Sequence, residues 1–152
     1  MTPITSLGLS RLREHLQELK TELVRTFDER SAAAAEGDLK ENSAYIFMTE
    51  RAHVLQSQID KASADIKDAS IIIPPKDTHK VALGHRVKVL FKNENRELTL
   101  TLVGKNDNAL KPGWISADSP LGIAILGRPA GTSVIVNDQP VAILEITHGD
   151  IE

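Results

Sequence analysis

The sequence predicts an α+β protein: an antiparallel helical coiled-coil hairpin, followed by a small, mostly antiparallel β domain with one short helix. Three observations predict it. Leucines recur in alternating three- and four-residue steps early in the chain. A short polar break, Glu36-Gly37-Asp38-Leu39-Lys40-Glu41-Asn42-Ser43, separates that row from a second row of the same period. After Pro75 the apolar period drops to about 2 residues. The division this implies is residues 1–75 for the hairpin and 76–152 for the β domain.

The first helix opens at Thr5, whose hydroxyl suits an N-cap. Leu9, Leu12, Leu16, Leu19 and Leu23 form a coiled-coil seam. Phe27 extends it after a four-residue step that would locally unwind the supercoil, and Arg30 and Ala34 carry it further. Gly37 fits the helix end, where a positive φ is often needed. In the second helix Tyr45, Met48, Ala52, Leu55, Ile59, Ala62, Ile66 and Ala69 keep strict 3/4 spacing until Pro74-Pro75 stops it. Each helix is then roughly 28 residues, about 42 Å long. The connection is short, so the two must run antiparallel.

Beyond Pro75, Arg86–Phe91 alternates apolar and polar, and so does Glu97–Leu102 after the turn Asn93-Glu94-Asn95. Trp114–Ser116 and Ser133–Val136 are further short strands. Asn137-Asp138 is a hairpin turn leading into Val141–Ile146. Between them Ser119–Gly127 reads as one short helix, with Ser119 as its cap and Pro120 in its first turn.

Composition narrows the chemistry. The chain has 152 residues, is 41% hydrophobic and only 3% aromatic, so its core must be mainly aliphatic. It has no cysteine, which excludes disulfides and thiolate metal sites and fits a reducing compartment. The N-terminus has no basic stretch followed by an apolar run, and no apolar stretch approaches the ~20 residues that span a bilayer. The expectation is a cytoplasmic protein without membrane contact. Net charge is −3: the first 75 residues carry 9 basic and 12 acidic side chains, the rest 9 and 9. Duplex DNA binders usually carry a basic surplus, so any contact with nucleic acid should be indirect or run through a protein partner.

His15, His53, His79, His85 and His148 show no i,i+3 or i,i+4 pairing, and no phosphate loop or nucleophile elbow occurs. A free-standing active site is not expected. The remaining candidates are Asp38 and Glu41. Asp38-Leu39-Lys40-Glu41 has capping-box spacing, so Asp38 could cap the second helix while Glu41 reaches back. Alternatively both carboxylates point outward as hard oxygen donors that share a Mg²⁺. Two carboxylates make a poor cage, so a partner would have to hold most of the metal.

Gly37-Asp38-Leu39-Lys40-Glu41-Asn42 followed by Tyr45 resembles the tip of the bacterial Gre transcript-cleavage factors of the GreA/GreB type. Thr2-Pro3-Ile4-Thr5 with Gly8 and Leu12 is similar to the opening of that family. Ile115–Leu121 with Leu126-Gly127 is similar to its C-terminal domain. The resemblance implies a coiled coil that enters the secondary channel of RNA polymerase and an FKBP-like domain that docks on the channel rim. Asp38 and Glu41 would help bind the catalytic Mg²⁺ and orient the water that cuts backtracked RNA. The ion would be held mainly by the polymerase, with none bound by the free protein. The chain would then be a transcription elongation factor, an accessory factor rather than an enzyme, and a monomer. It would meet the backtracked RNA 3′ end indirectly, and DNA only through the polymerase. Asp118, Ser119, Pro120 and Leu121 would contact the rim, and Arg30, Lys40 and Arg51 are candidate RNA contacts.

The chain departs from that family where basic residues are expected near the tip: Ala34 and Thr49 stand there, and Ile46-Phe47-Met48 is apolar. The alternative reading is therefore a channel occupant that regulates or inhibits polymerase without promoting cleavage. A third, peptidyl-prolyl isomerase, follows from the FKBP-like domain but meets a shortage of aromatics, since Trp114 and Phe91 alone are a poor proline cage.

Overall fold

The computed structural model describes residues 1–35 and 42–151. Its elements are β1 (Thr2–Ile4), α1 (Ser6–Ala34), α2 (Ser43–Lys67), β2 (Ala69–Ile71), β3 (His85–Phe91), β4 (Arg96–Val103), β5 (Trp114–Ser116), α3 (Pro120–Ile125), β6 (Ser133–Val136) and β7 (Gln139–His148). They give the α+β class expected: two long helices, then a sheet domain. Two compact units result, Met1–Leu9 with Ala69–Glu152, and Ser10–Asp68. The cut at Pro75 read from sequence thus differs from the packing, which groups the first nine residues with the β domain.

Within the helical unit Leu19, Leu55, Ile59 and Ala62 are buried together, flanked by Leu16 and Leu23. Asn42 meets Ala33, and Arg51 lies 3.9 Å from Glu22, so partners rise along one helix as they fall along the other: the pair is antiparallel. The seam corrects one expectation. Thr26 is 3% exposed and Ala33 8%, whereas Phe27 is 41% exposed. The row therefore runs Leu23, Thr26, Arg30, Ala33 in uninterrupted 3/4 steps, with no stutter at Phe27. Thr26 can take a core position because its hydroxyl donates to the Glu22 carbonyl at 2.8 Å, leaving its methyl for the seam.

Two boundaries also differ from the sequence reading. α2 stops at Lys67, not Ala69, and the backbone N–H of its C-cap, Asp68, turns back to the carbonyls of Ala64 and Ile66. Ala69–Ile71 instead forms β2, paired in parallel with β1 (Thr2↔Ala69, Ile4↔Ile71). Three-residue strands are too short to display a period of 2, so neither showed in the sequence.

The larger sheet has the order β5-β4-β3-β7-β6. It is antiparallel except where β5 joins β4 in parallel, so it is mixed. Val87, Val89, Leu100, Leu102, Val141 and Ile143 form its buried face, as strict alternation requires, and α3 covers that face with Leu121 and Ile125. Asn137 and Asp138 both take positive φ (49° and 64°), the two-residue turn whose twist matches a hairpin. Gly122 lets α3 approach β5 closely, because a Cβ there would lie 2.2 Å from the Ser116 carbonyl oxygen. Among the described residues no helix is long and apolar enough to cross a membrane.

Candidate functional site

The hairpin end is organised by Asn42. Its Oδ1 accepts from the Tyr45 N–H at 3.1 Å and so caps α2. Its Nδ2 donates to the Ala33 carbonyl in the last turn of α1, where carbonyls lack partners along the helix. One side chain thus ties both helices together at their junction. The capping role that the box spacing gives to Asp38 is filled by Asn42. Asp38 and Glu41 themselves, with Lys40 and Gly37, lie outside the described residues. Asn42→Ala is expected to cost about 1–2 kcal/mol, by removing a cap and a second hydrogen bond. Asn42→Asp should keep the cap and lose only the bond to Ala33, so thermal melts of the two variants separate the contributions.

The other candidates near this end are placed as follows. Arg30, half-buried in the seam, holds its guanidinium 5.0 Å from the centre of the Phe27 ring and 5.9 Å from that of Tyr45. It is therefore engaged with two aromatic faces. Arg51 is exposed and 3.9 Å from Glu22, which also hydrogen-bonds Arg25. That hydrogen bond, helped by the charges of Arg25 and Arg51, holds the Glu22 carboxyl below the usual carboxylate range. Thr49, where a basic residue was expected, donates its hydroxyl to the Tyr45 carbonyl at 2.9 Å. The side chains of Ile46 and Phe47 are exposed.

The second candidate region is the start of α3. Ser119 caps the helix, accepting from the Gly122 N–H at 3.0 Å and donating to the Ser116 carbonyl at 2.6 Å. Asp118 and Pro120 are exposed, while Leu121 is buried against the sheet. Of the four residues named from sequence, Asp118 and Pro120 therefore offer accessible side chains, Ser119 is occupied as a cap and Leu121 belongs to the core. Ile123 and Leu126 are exposed nearby; from sequence, Leu126 enters only as part of the resemblance and Ile123 is not picked out as a contact.

One polar centre escaped the sequence reading altogether. Asp107 is fully buried and accepts from the Thr5 N–H (3.0 Å), the Thr5 hydroxyl (2.6 Å) and the Gly104 N–H (3.1 Å). Thr5 Oγ1 in turn accepts from the Gly8 N–H, so the cap expected of Thr5 is present and is itself held by a carboxylate. A Cβ on Gly8 would stand 1.8 Å from Asp107 Oδ1. The node joins residues 102 apart in sequence, which is why spacing did not disclose it.

No group of three or more His, Asp or Glu able to hold a metal occurs among the described residues. The aromatics expected to make a poor proline cage do not share a site. Trp114 is buried with Ile72, Val103 and Ile151, and Phe91 lies under Arg96. The apolar cleft of about 470 Å³ beside β2, lined by Ile71, Ile73, Val81, Leu83 and Leu126 among others, contains no aromatic ring.

Known families match both parts of the chain. The family model described as "Transcription elongation factor, GreA/GreB, C-term" matches residues 76–148, and "Transcription elongation factor, N-terminal" matches residues 2–71. Transcription elongation factor GreA of Alkalilimnicola ehrlichii is 32% identical over 137 residues, covering 88% of this chain and 87% of the relative. GreA of Helicobacter hepaticus is 32% identical over 155 residues, covering 98% and 95%. The crystal structure of GreA factor homolog 1 (Gfh1) of Thermus thermophilus aligns over 95% of this chain and 97% of its own, with 20% identity and a TM-score of 0.45.

Proposed function

This chain belongs to the GreA/GreB family of transcription elongation factors, and on that footing we propose that it enters the secondary channel of RNA polymerase and stimulates Mg²⁺-dependent cleavage of backtracked RNA. The observation that carries the reading is the position of Asp38 and Glu41 within the eight residues that join two long antiparallel helices, Ser6–Ala34 and Ser43–Lys67. A hairpin about 40 Å long can reach an active site too narrow for a globular domain.

Asp38 and Glu41 are two hard oxygen donors, a set that suits an ion shared with a partner supplying the rest of a six-coordinate shell. Magnesium, supplied and held by the polymerase, would polarise the phosphodiester and lower the pKa of bound water. The part left to this chain is to add carboxylate ligands and to orient, and accept a proton from, the attacking water. Asn42 supports that role, because it caps α2 in place of either acid. The test is a gel assay of RNA cleavage by stalled, backtracked elongation complexes with and without the protein. Cleavage that rises with added protein is expected; unchanged cleavage overturns the reading. Slowed elongation without cleavage would support the channel occupant instead, a reading favoured by Ala34 and by the engaged hydroxyl of Thr49.

Two further results are expected of this reading. Asp118→Arg should weaken polymerase binding without unfolding the domain, because the side chain is exposed and such changes usually alter stability by less than ~0.5 kcal/mol. A quantitative pull-down together with a melt checks it. Ala34→Arg with Thr49→Arg should extend cleavage to more deeply backtracked complexes and steepen its salt dependence, since each phosphate contact adds a counterion-release term. Cleavage products from complexes stalled at known depths check this.

A further inference from the structure

The aliphatic seam of the hairpin stops short of its end. Leu19, Leu55, Ile59 and Ala62 are buried together, with Leu16 and Leu23 packed against them. Past Leu23 the same row of α1 continues as Thr26, Arg30 and Ala33: a hydroxyl, a guanidinium and a methyl group. The corresponding row of α2 ends in Ala52, Met48 and Tyr45. Small and polar side chains bury little apolar area, so packing alone holds this stretch weakly. Its register has to come from directional contacts.

Those contacts converge on Tyr45. Its N–H donates to Asn42 Oδ1 at 3.1 Å, and its carbonyl accepts from the Thr49 hydroxyl at 2.9 Å. Its ring centre lies 5.9 Å from the Arg30 guanidinium. Arg30 is half-buried and also lies 5.0 Å over the ring of Phe27, one turn earlier on its own helix. The Arg30–Tyr45 contact crosses from α1 to α2, as does the bond from Asn42 to the Ala33 carbonyl. A guanidinium is planar and less strongly hydrated than an ammonium, so it suits a half-buried place against ring faces.

We infer that Arg30 is a positioning residue for the proposed reaction: by joining Phe27 and Tyr45 it fixes, together with Asn42, both ends of the segment that carries Asp38 and Glu41, and it does not bind RNA phosphate. The inference rests on the function proposed above. Asp38 and Glu41 lie between Ala33 and Asn42 in sequence, Glu41 directly beside Asn42. Carboxylates that meet an ion held by another molecule must arrive at a set position, because a misplacement of about 1 Å can cost a hundredfold in rate. Arg30 therefore acts through the two helix ends and not by touching substrate.

Hydrogen exchange of the free protein and cleavage at saturating protein test this together, in Arg30→Gln, Tyr45→Leu, their combination and Tyr45→Phe. Arg30→Gln and Tyr45→Leu should each speed amide exchange in residues 26–34 and 45–49 by roughly tenfold, the factor one partly desolvated cation–π contact supplies. The amides of Leu55 and Ile59 should exchange as in the parent. The combination should do no more than either change alone, because both remove one contact. Tyr45→Phe keeps the ring face and should restore parental exchange and cleavage. On stalled, backtracked complexes Arg30→Gln and Tyr45→Leu should cleave several-fold more slowly, with polymerase affinity and salt dependence unchanged. Exchange that rises equally along the whole hairpin, or nowhere, overturns the inference. So does parental cleavage by Arg30→Gln. A salt dependence flattened by about 0.7 in log–log slope in Arg30→Gln overturns it as well, by giving Arg30 to a phosphate. Absence of stimulated cleavage by the unaltered protein would instead remove the function proposed above, a result distinct from each of these because exchange is read on the free protein.

Discussion

Replacing Asp38 and Glu41 together by alanine is expected to lower stimulated RNA cleavage on the order of a hundredfold or more, with polymerase affinity almost unchanged. The asymmetry follows from where the residues lie. Groups that act only on the developing charge of the reaction cost rate when removed, and losses of this size are typical for one such group in a dry site. The single variants should approach the double one, because a pair that shares one ion acts as a unit. The capping result sharpens this test. Since Asn42 caps α2, Asp38→Ala should leave thermal stability within ~0.5 kcal/mol of the parent. A loss of activity could then not be blamed on a frayed helix. Single-turnover cleavage together with a polymerase binding curve checks both halves; a variant that binds and cleaves normally would end the assignment.

The largest effect on stability is expected at Asp107. Asp107→Ala would leave the buried N–H groups of Thr5 and Gly104 and the Thr5 hydroxyl without their acceptor. Each orphaned buried group costs about 1–3 kcal/mol, so with three of them a total loss of at least about 3 kcal/mol is expected. Asp107→Asn retains one carbonyl oxygen and should cost less. Gly8→Ala should also destabilise, because the new methyl would overlap Asp107 Oδ1, itself pinned by Thr5. Chemical denaturation curves measure all three, and Gly8→Ala with Asp107→Ala should be less than additive if they share one node.

Much of this fold was legible because its patterns are local. The 3/4 steps from Leu9 to Leu23 and from Tyr45 to Ile66, the alternation of Arg86–Phe91, and the Ser119-Pro120 helix start each report a period or a cap within a few residues. What failed to show depends on distant partners. β1 and β2 are three residues each and exist because they pair with one another across 67 positions. Asp107 reads as an ordinary loop acid until Thr5 is brought beside it. Phe27 looked like the next seam residue, since an aromatic is the more apolar choice. The helix takes Thr26 instead, whose hydroxyl finds an acceptor within its own backbone. At the candidate site, the assignment of Asp38 and Glu41 rests on a six-residue resemblance, and both lie outside the described residues. That Leu121 is core and Ser119 a cap, leaving Asp118 and Pro120 exposed, needed the packing of α3.

The central claim is that the hairpin lends carboxylates to a metal ion held by the polymerase. Its most direct test is the cleavage rate of one defined backtracked complex, titrated with Mg²⁺ in the presence and absence of saturating protein. The account predicts a higher maximal rate and half-maximal cleavage at a several-fold lower Mg²⁺ concentration, with the shift lost in Asp38→Asn/Glu41→Gln. The same Mg²⁺ dependence and rate with and without the protein, or a shift that survives in that variant, would contradict it.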